Sequence, residues 1–264
     1  MVKAKLHYQR RFGGIAKLYG EQAFSCFERA HVGVIGIGGV GSWATEAMAR
    51  SGIGRLTLFD LDNVAESNVN RQIHALSNEM GRPKVAVMQQ RIEAINPRCK
   101  VAAIEDFVTR DNLAAMFGGD LDYVIDCIDN FRTKAAVIAH CKRAKIRIIT
   151  IGGAGGLTDP TRVAVADLTR ATQDALLGRT RRYLRYEYDF SRNPRRRFDI
   201  PCVFSNEQVR YPDSAGGTCR AKPKAIAGGL SCAGSLGSVM TVTATFGLVA
   251  AAHVLSRLAA KSAA

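Results

Sequence analysis

The chain has 264 residues, 47% of them apolar, so it can bury a full hydrophobic core, and length alone permits one large domain or two small ones. A net charge of +14 and a pI near 9.8 point to an anionic macromolecular partner, nucleic acid ahead of a membrane surface, although basicity that serves only solubility gives the same figures. Seven cysteines, none in a Cys-x-x-Cys pair, argue against a structural zinc or a disulfide framework and for reduced thiols in a cytoplasm.

Residues 1–30 read as a helical arm, with Arg10-Arg11 ahead of Phe12-Gly13-Gly14 and helical spacing from Ile15 to Phe27. No apolar leader precedes the first strand, so a cleaved signal peptide is not expected. Val32 to Ile35 then forms a strand that enters Gly36-Ile37-Gly38-Gly39-Val40-Gly41, a helix runs from Trp43 to Arg50, and a second strand, Leu56 to Phe59, stops on Asp60. Glycines at this spacing permit a tight bend, close approach of backbone N–H groups to a phosphate, and close helix–strand packing. The helix N-terminus completes an anion site, and Asp60, nineteen residues past Gly41, is placed to bond a ribose hydroxyl. A purely structural tight turn is the alternative.

A polar stretch, Asp62 to His74, follows, with Asn63, Asn68, Asn70, Arg71 and Gln72. Long polar segments between core elements tend to belong to sites. Pro83 opens a helix with Lys84 in its first turn, and Asn96-Pro97 closes it. Strand 101–104, a short helix 111–117, strand 123–127, helix 132–145 and strand 146–151 complete an alternation that predicts a doubly wound, mostly parallel sheet.

After Ile151 the pattern changes. Gly152 to Gly156 forms a second glycine-rich turn, where exposed carbonyls could hold an alkali cation or simply turn the chain, and Arg162 to Leu168 reads as an antiparallel strand. Residues 178–198 are strongly basic, with Arg181, Arg182, Arg185, Arg195, Arg196 and Arg197 among tyrosines and Phe198, a pattern that fits phosphates and splayed loop bases of RNA as well as a solvated charged helix. Cys202 and Cys232 lie in this half as candidate reactive thiols or as small buried hydrophobes. Residues 225–254 contain no Asp, Glu, Lys or Arg, so a membrane span and a buried or oligomer-facing helix compete; Gly228-Gly229 and Gly234 favour the buried helix.

Without a Gly-x-x-x-x-Gly-Lys-Ser/Thr loop, the chain is not expected to be a P-loop nucleotidase. The strand ends instead place the glycine turn, Asp60, Asp126 and Asp129 on one rim, and loops add Asn68, Arg71, Gln72 and Lys84. Two cations and a further carboxylate suit a triphosphate better than a dinucleotide. Arg71 and Lys84 can neutralise phosphate oxygens, and Asp129 can hold magnesium. The alternatives are a surface ion-pair network for Arg71 and Lys84, a helix N-cap for Asp129, and a structural role for Asp126.

The glycine turn, Asp60-Leu61-Asp62-Asn63-Val64, Ser67 to Gln72, Pro83-Lys84 and Asp126 to Asn130 together resemble the ubiquitin-activating-enzyme-like adenylyltransferases. Arg11 to Gly14, Asn70 to Leu76, Gly152 to Gly156 and Thr241 to Gly247 look like the branch of that family that dehydrates threonylcarbamoyladenosine in tRNA. The resemblance implies ATP-dependent adenylation of the modified base beside the anticodon and intramolecular capture of the adenylate, with loss of water from the tRNA. It assigns ATP to Gly36, Gly38, Gly39, Gly41, Asp60, Asp62, Asn68, Arg71, Gln72 and Lys84, with Arg71, Lys84 and Asp129 catalytic and Asp129 on Mg2+. It further implies one domain over 1–264 (arm 1–30, ATP-binding half 31–155, substrate-binding and oligomerisation half 156–264), a homodimer, and a sulfur-transfer partner as a candidate.

The zinc motifs common in the sulfur-carrier branch are absent, and the arm position of that branch's trans arginine corresponds to Gly14, beside Arg10 and Arg11. Adenylation of a sulfur carrier's C-terminus is the alternative function. A nicotinamide-dependent oxidoreductase or nucleotide-sensing module is a third, which leaves Arg71, Lys84 and Asp129 unexplained.

Overall fold

The computed structural model describes residues 8–118, 120–213, 216–221 and 236–262. The arm is two helices, α1 (Tyr8–Tyr19) and α2 (Glu21–Arg29), rather than one. Gly20 breaks them at φ 89°, a backbone region that L side chains rarely adopt. Arg11 caps the fold rather than reaching outward: its guanidinium donates to Ala94 O and Ile95 O at 3.0 and 2.7 Å.

The alternating half follows as β1 (His31–Ile35), α3 (Gly41–Arg50), β2 (Arg55–Phe59), α4 (Lys84–Ile95), β3 (Lys100–Ile104), α5 (Leu113–Met116), β4 (Tyr123–Asp126), α6 (Phe131–Ala144) and β5 (Arg147–Ile151). The second half supplies β6 (Val163–Asp167), α7 (Ala175–Glu187), β7 (Pro201–Ser205), a short hairpin of β8 (Tyr211–Pro212) and β9 (Thr218–Cys219), and α8 (Met240–Ser262). The seven-stranded sheet has the order β3-β2-β1-β4-β5-β7-β6. All neighbours run parallel except β6, which pairs antiparallel with β7. This is the doubly wound sheet with an antiparallel extension that the sequence predicts. Strand order reverses between β1 and β4, the switch point at which such sheets open a crevice for a ligand.

Both sheet faces are covered, which is why β1 and β4 read as continuous apolar runs. Helix α8 buries Val242, Phe246, Ala250, Val254 and Leu258, a stripe at four-residue spacing, against the cluster that includes α3 and β1. At 22 residues of high hydropathy, Met240–Lys261 is long and apolar enough to cross a membrane. Its stripe belongs instead to the core, so the charge-free segment covers the nucleotide fold where it is described. Gly247 makes the fit: a Cβ there would lie 2.5 Å from Val40 O and 2.9 Å from Ala44 N. Helix α8 therefore braces the start of α3, just behind the glycine turn.

Candidate active site

The glycine turn is built by close contact. Gly36 has φ 84°, and a Cβ on Gly41 would sit 1.9 Å from Gly36 O, so the bend closes only when position 41 carries no side chain. Around Gly38 the nearest atom to a Cβ would be Gln72 Nε2 at 3.9 Å; at Gly39 it would be Arg71 Cγ at 3.2 Å. Arg71 and Gln72 thus face the turn from the polar loop.

Asp60 locks the turn to the end of β2. One carboxylate oxygen accepts from Ile37 N at 2.6 Å and the other from Asp62 N at 2.8 Å. Burial pushes the Asp60 carboxyl up, opposed by Lys84 and by these two backbone bonds. Lys84 is buried, and its ammonium reaches the exposed Asp62 at 2.8 Å. Asn68 holds its own loop by accepting from Ala65 N at 3.1 Å. Arg71 is anchored at both ends: its main-chain oxygen accepts from Trp43 Nε1 at 2.9 Å, and its guanidinium donates to Ser67 O at 2.6 Å. Gln72 and His74 are buried with unpartnered side-chain polar atoms. Burial, with Lys84 and Arg91 nearby, lowers the His74 pKa to about 4, which keeps the ring neutral beside these cations.

Across the switch point, the two aspartates of β4 and its loop part company. Asp126 is wholly buried against Lys134 Nζ at 2.8 Å and Thr150 Oγ1 at 2.7 Å, so its role is structural. Asp129 is exposed and does not cap α6; Asn130 does, accepting from Arg132 N and Thr133 N at 2.9 and 3.2 Å. Among the described residues Asp129 has no hydrogen bond or ion pair, and no cluster of three or more His, Cys, Asp or Glu could hold a metal. A lone exposed carboxylate can hold Mg2+ only where phosphates and water complete the shell.

Asp129 also lines a cavity of about 320 Å³ at the C-terminal ends of β4, β5 and β7, with Gly153, Asp174, Arg179, Ser205 and Tyr211 on its walls. Asp174 ties two walls together. It accepts from Gly153 N at 2.9 Å and caps α7 through Leu177 N at 2.8 Å, and a Cβ on Gly152 would lie 1.9 Å from its Oδ2. The aspartate before an apolar helical run was a readable cap signal; that Arg179 points into this cavity, while its neighbours do not, follows only from the helix's orientation.

The rim therefore runs from Asp60 through the glycine turn to Asp129 and on to the cavity, with two cations over the middle. The ThiF family pattern matches residues 8–263. The chain belongs to the ThiF family. Over 259 residues it is 48% identical to the tRNA threonylcarbamoyladenosine dehydratase of Escherichia coli K12, covering 97% of this chain and 96% of that protein. The enzyme of the same name from Haemophilus influenzae is 46% identical over 97% of this chain and 95% of its own length. The solved E. coli dehydratase in complex with ATP superposes with a TM-score of 0.87 at 44% identity, covering 98% of both chains.

Several sequence-based assignments change in this ThiF-family chain. Arg181 donates to Leu168 O and Ala171 O at 3.0 and 2.7 Å, and Arg185 to Ser191 O at 3.2 Å while lying over the Phe198 ring. Both are half-buried and brace α7 internally. Arg182, Arg195, Arg196 and Arg197 are exposed. Cys202 is fully buried, and burial pushes its thiol up to about 12, so it is an inert core residue. Cys232 lies outside the described residues.

Proposed function

We propose that this protein is an ATP-dependent dehydratase that cyclises threonylcarbamoyladenosine beside the tRNA anticodon. The observation that carries the reading is the single rim holding the glycine turn, Asp60, Arg71, Lys84 and Asp129, in a chain that aligns along nearly its whole length with enzymes of that activity. Backbone N–H groups of the turn cradle the phosphates, and Asp60 orients the ribose. The substrate carboxylate enters through the cavity beyond Asp129 and attacks the α-phosphorus; the bond to the β-phosphate oxygen breaks and pyrophosphate leaves. The ureido group of the same modified base then attacks the acyl carbon, gives up a proton, and AMP departs. The tRNA has lost water, and ATP has become AMP and pyrophosphate.

Lys84 and Arg71 stabilise the charge that grows on the phosphate oxygens from fixed positions. Mg2+ at Asp129 would neutralise the departing pyrophosphate. An alkali cation at the turn 152–156 is a second cofactor proposal; Gly156 O already accepts from Arg210 N at 2.8 Å, so it would use the turn's other oxygens. We place the protein in the cytoplasm, as a homodimer whose interface draws on exposed apolar residues such as Leu18 and Leu248. A sulfur-transfer partner would have to use a thiol other than Cys202.

Mass spectrometry of tRNA nucleosides after mild digestion tests the reading: a deletion strain is expected to hold the uncyclised base, and unchanged cyclic base refutes it. ATP–pyrophosphate exchange that required a small carrier protein and ignored tRNA would favour sulfur-carrier adenylation instead.

A further inference from the structure

At the opposite edge of the sheet, where β4, β5 and β7 begin, lies a cleft of about 500 Å³ walled by Lys142, Lys145, Arg147, Arg257 and Lys261, with Asp199 as its one acid. All five cations are exposed. Two helix C-termini, of α6 and α8, end here, and each carries about half a negative charge that favours a nearby cation. Those ends account for Lys142, which donates to Phe198 O at 2.7 Å, and Lys261, which pairs with Asp122 at 3.0 Å. Lys145 is itself the C-cap residue of α6, yet neither its side chain nor that of Arg257 has a hydrogen bond or ion pair among the described residues, so both ends are open to a ligand.

Helix α7 leads from the active-site rim toward this cleft. Helix α7 starts at Asp174, tied to the second glycine turn, and ends beside α6, where Tyr188 meets Arg143. Its thirteen residues span about 20 Å. Arg179, Arg182 and Tyr186 recur at helical spacing along it: Arg179 lines the cavity beside Asp129, and Arg182 and Tyr186 are exposed. The exposed Arg195, Arg196 and Arg197 follow and lead through Phe198, whose carbonyl accepts from Lys142, into the cleft.

We infer that this cleft is the far anchor of a track for the tRNA phosphate backbone, which enters the cavity with its anticodon loop and leaves along α7. The inference rests on the proposed function. Exposed cations that recur from the cavity through α7 and the loop after it to the cleft match a polyanion better than a compact anion. Exposed Tyr186 midway offers a stacking face that an acidic protein would not need.

The test is tRNA binding by the double variant Lys145→Asn with Arg257→Gln, which removes two cations without putting an acid at a helix C-terminus; Asn suits the positive φ of 58° at position 145. The expected result is a Kd for full-length tRNA about tenfold or more higher, and a shallower salt dependence, by about two in the slope of log K against log salt. ATP·Mg affinity and thermal melting should match wild type. Unchanged tRNA affinity and slope in the variant, with wild type binding tRNA, overturns the inference and leaves the proposed function standing. Loss of polyglutamate binding without loss of tRNA binding also overturns it, assigning the cleft to an acidic protein. Failure of wild type itself to bind tRNA removes the proposed function, and the inference with it.

Discussion

Replacing Lys84 by Met separates catalysis from folding. The ammonium is buried, with side-chain exposure of 6%, whereas the Asp62 carboxylate it pairs with is 62% exposed. Removing the cation leaves Asp62, an acid that water can reach, and takes from the more buried Asp60 one of the charges that favour its ionised form; Met fills much the same volume, so the stability change should be modest, on the order of 1–2 kcal/mol. The effect on the reaction is different in scale. A charge held in place before the transition state forms costs nothing to reorganise, and losing one such contact lowers rates by about 10²–10³, some 2.7–4 kcal/mol. Lys84→Met should accordingly melt near wild type yet show ATP–pyrophosphate exchange, with modified tRNA present, reduced about 100-fold or more. Exchange within a few fold of wild type in a folded variant would refute the role assigned to Lys84.

Two glycines of the first turn should fail differently. Gly41→Ala forces a Cβ within 1.9 Å of Gly36 O and should destabilise the fold, whereas Gly38→Ala meets nothing closer than 3.9 Å and should melt normally while losing ATP affinity in calorimetry. Lys134→Met leaves Asp126 charged and buried and should cost about 3–5 kcal/mol in denaturant unfolding, with Asp126→Asn added to it recovering part of the loss. His74 titrates near 4 folded and near 6.5 unfolded, so as pH falls from 6.5 to 4 the unfolded chain takes up the proton first and stability drops, by on the order of 3 kcal/mol. Replacing His74 by Phe should flatten the melting temperature across that window; an unchanged slope would show that other groups carry it.

The parallel half of the fold was legible because each element carries its own local signal. Glycines that allow a bend, a proline before α4 and apolar runs of strand length depend on near neighbours alone. The arm was harder, since the break at Gly20 interrupts an apolar spacing that continues on both sides. The active-site rim could be read because strand ends in a doubly wound sheet share an edge, which places Asp60 and Asp129 together without knowledge of any contact. The arginines were not separable by this route. Arg181 and Arg182 are adjacent in sequence and equal in charge, and only the packing of α7 turns one toward Leu168 O and the other toward solvent. Cys202 likewise looks reactive or inert according to whether β7 lies inside the sheet, a matter of strand order.

The carboxylate of Asp174 holds the Gly153 N–H with one oxygen and the first turn of α7 with the other. The floor of the substrate cavity and the helix bearing Arg179 and Arg182 are thereby one rigid piece. Such a piece works as a ruler: the gap between the reacting phosphorus and the first backbone cation is fixed by the protein. On the proposed track, an RNA gripped by that helix would present only the nucleotide at one set distance along its loop, so the choice of base would become a matter of measured length as well as of chemistry.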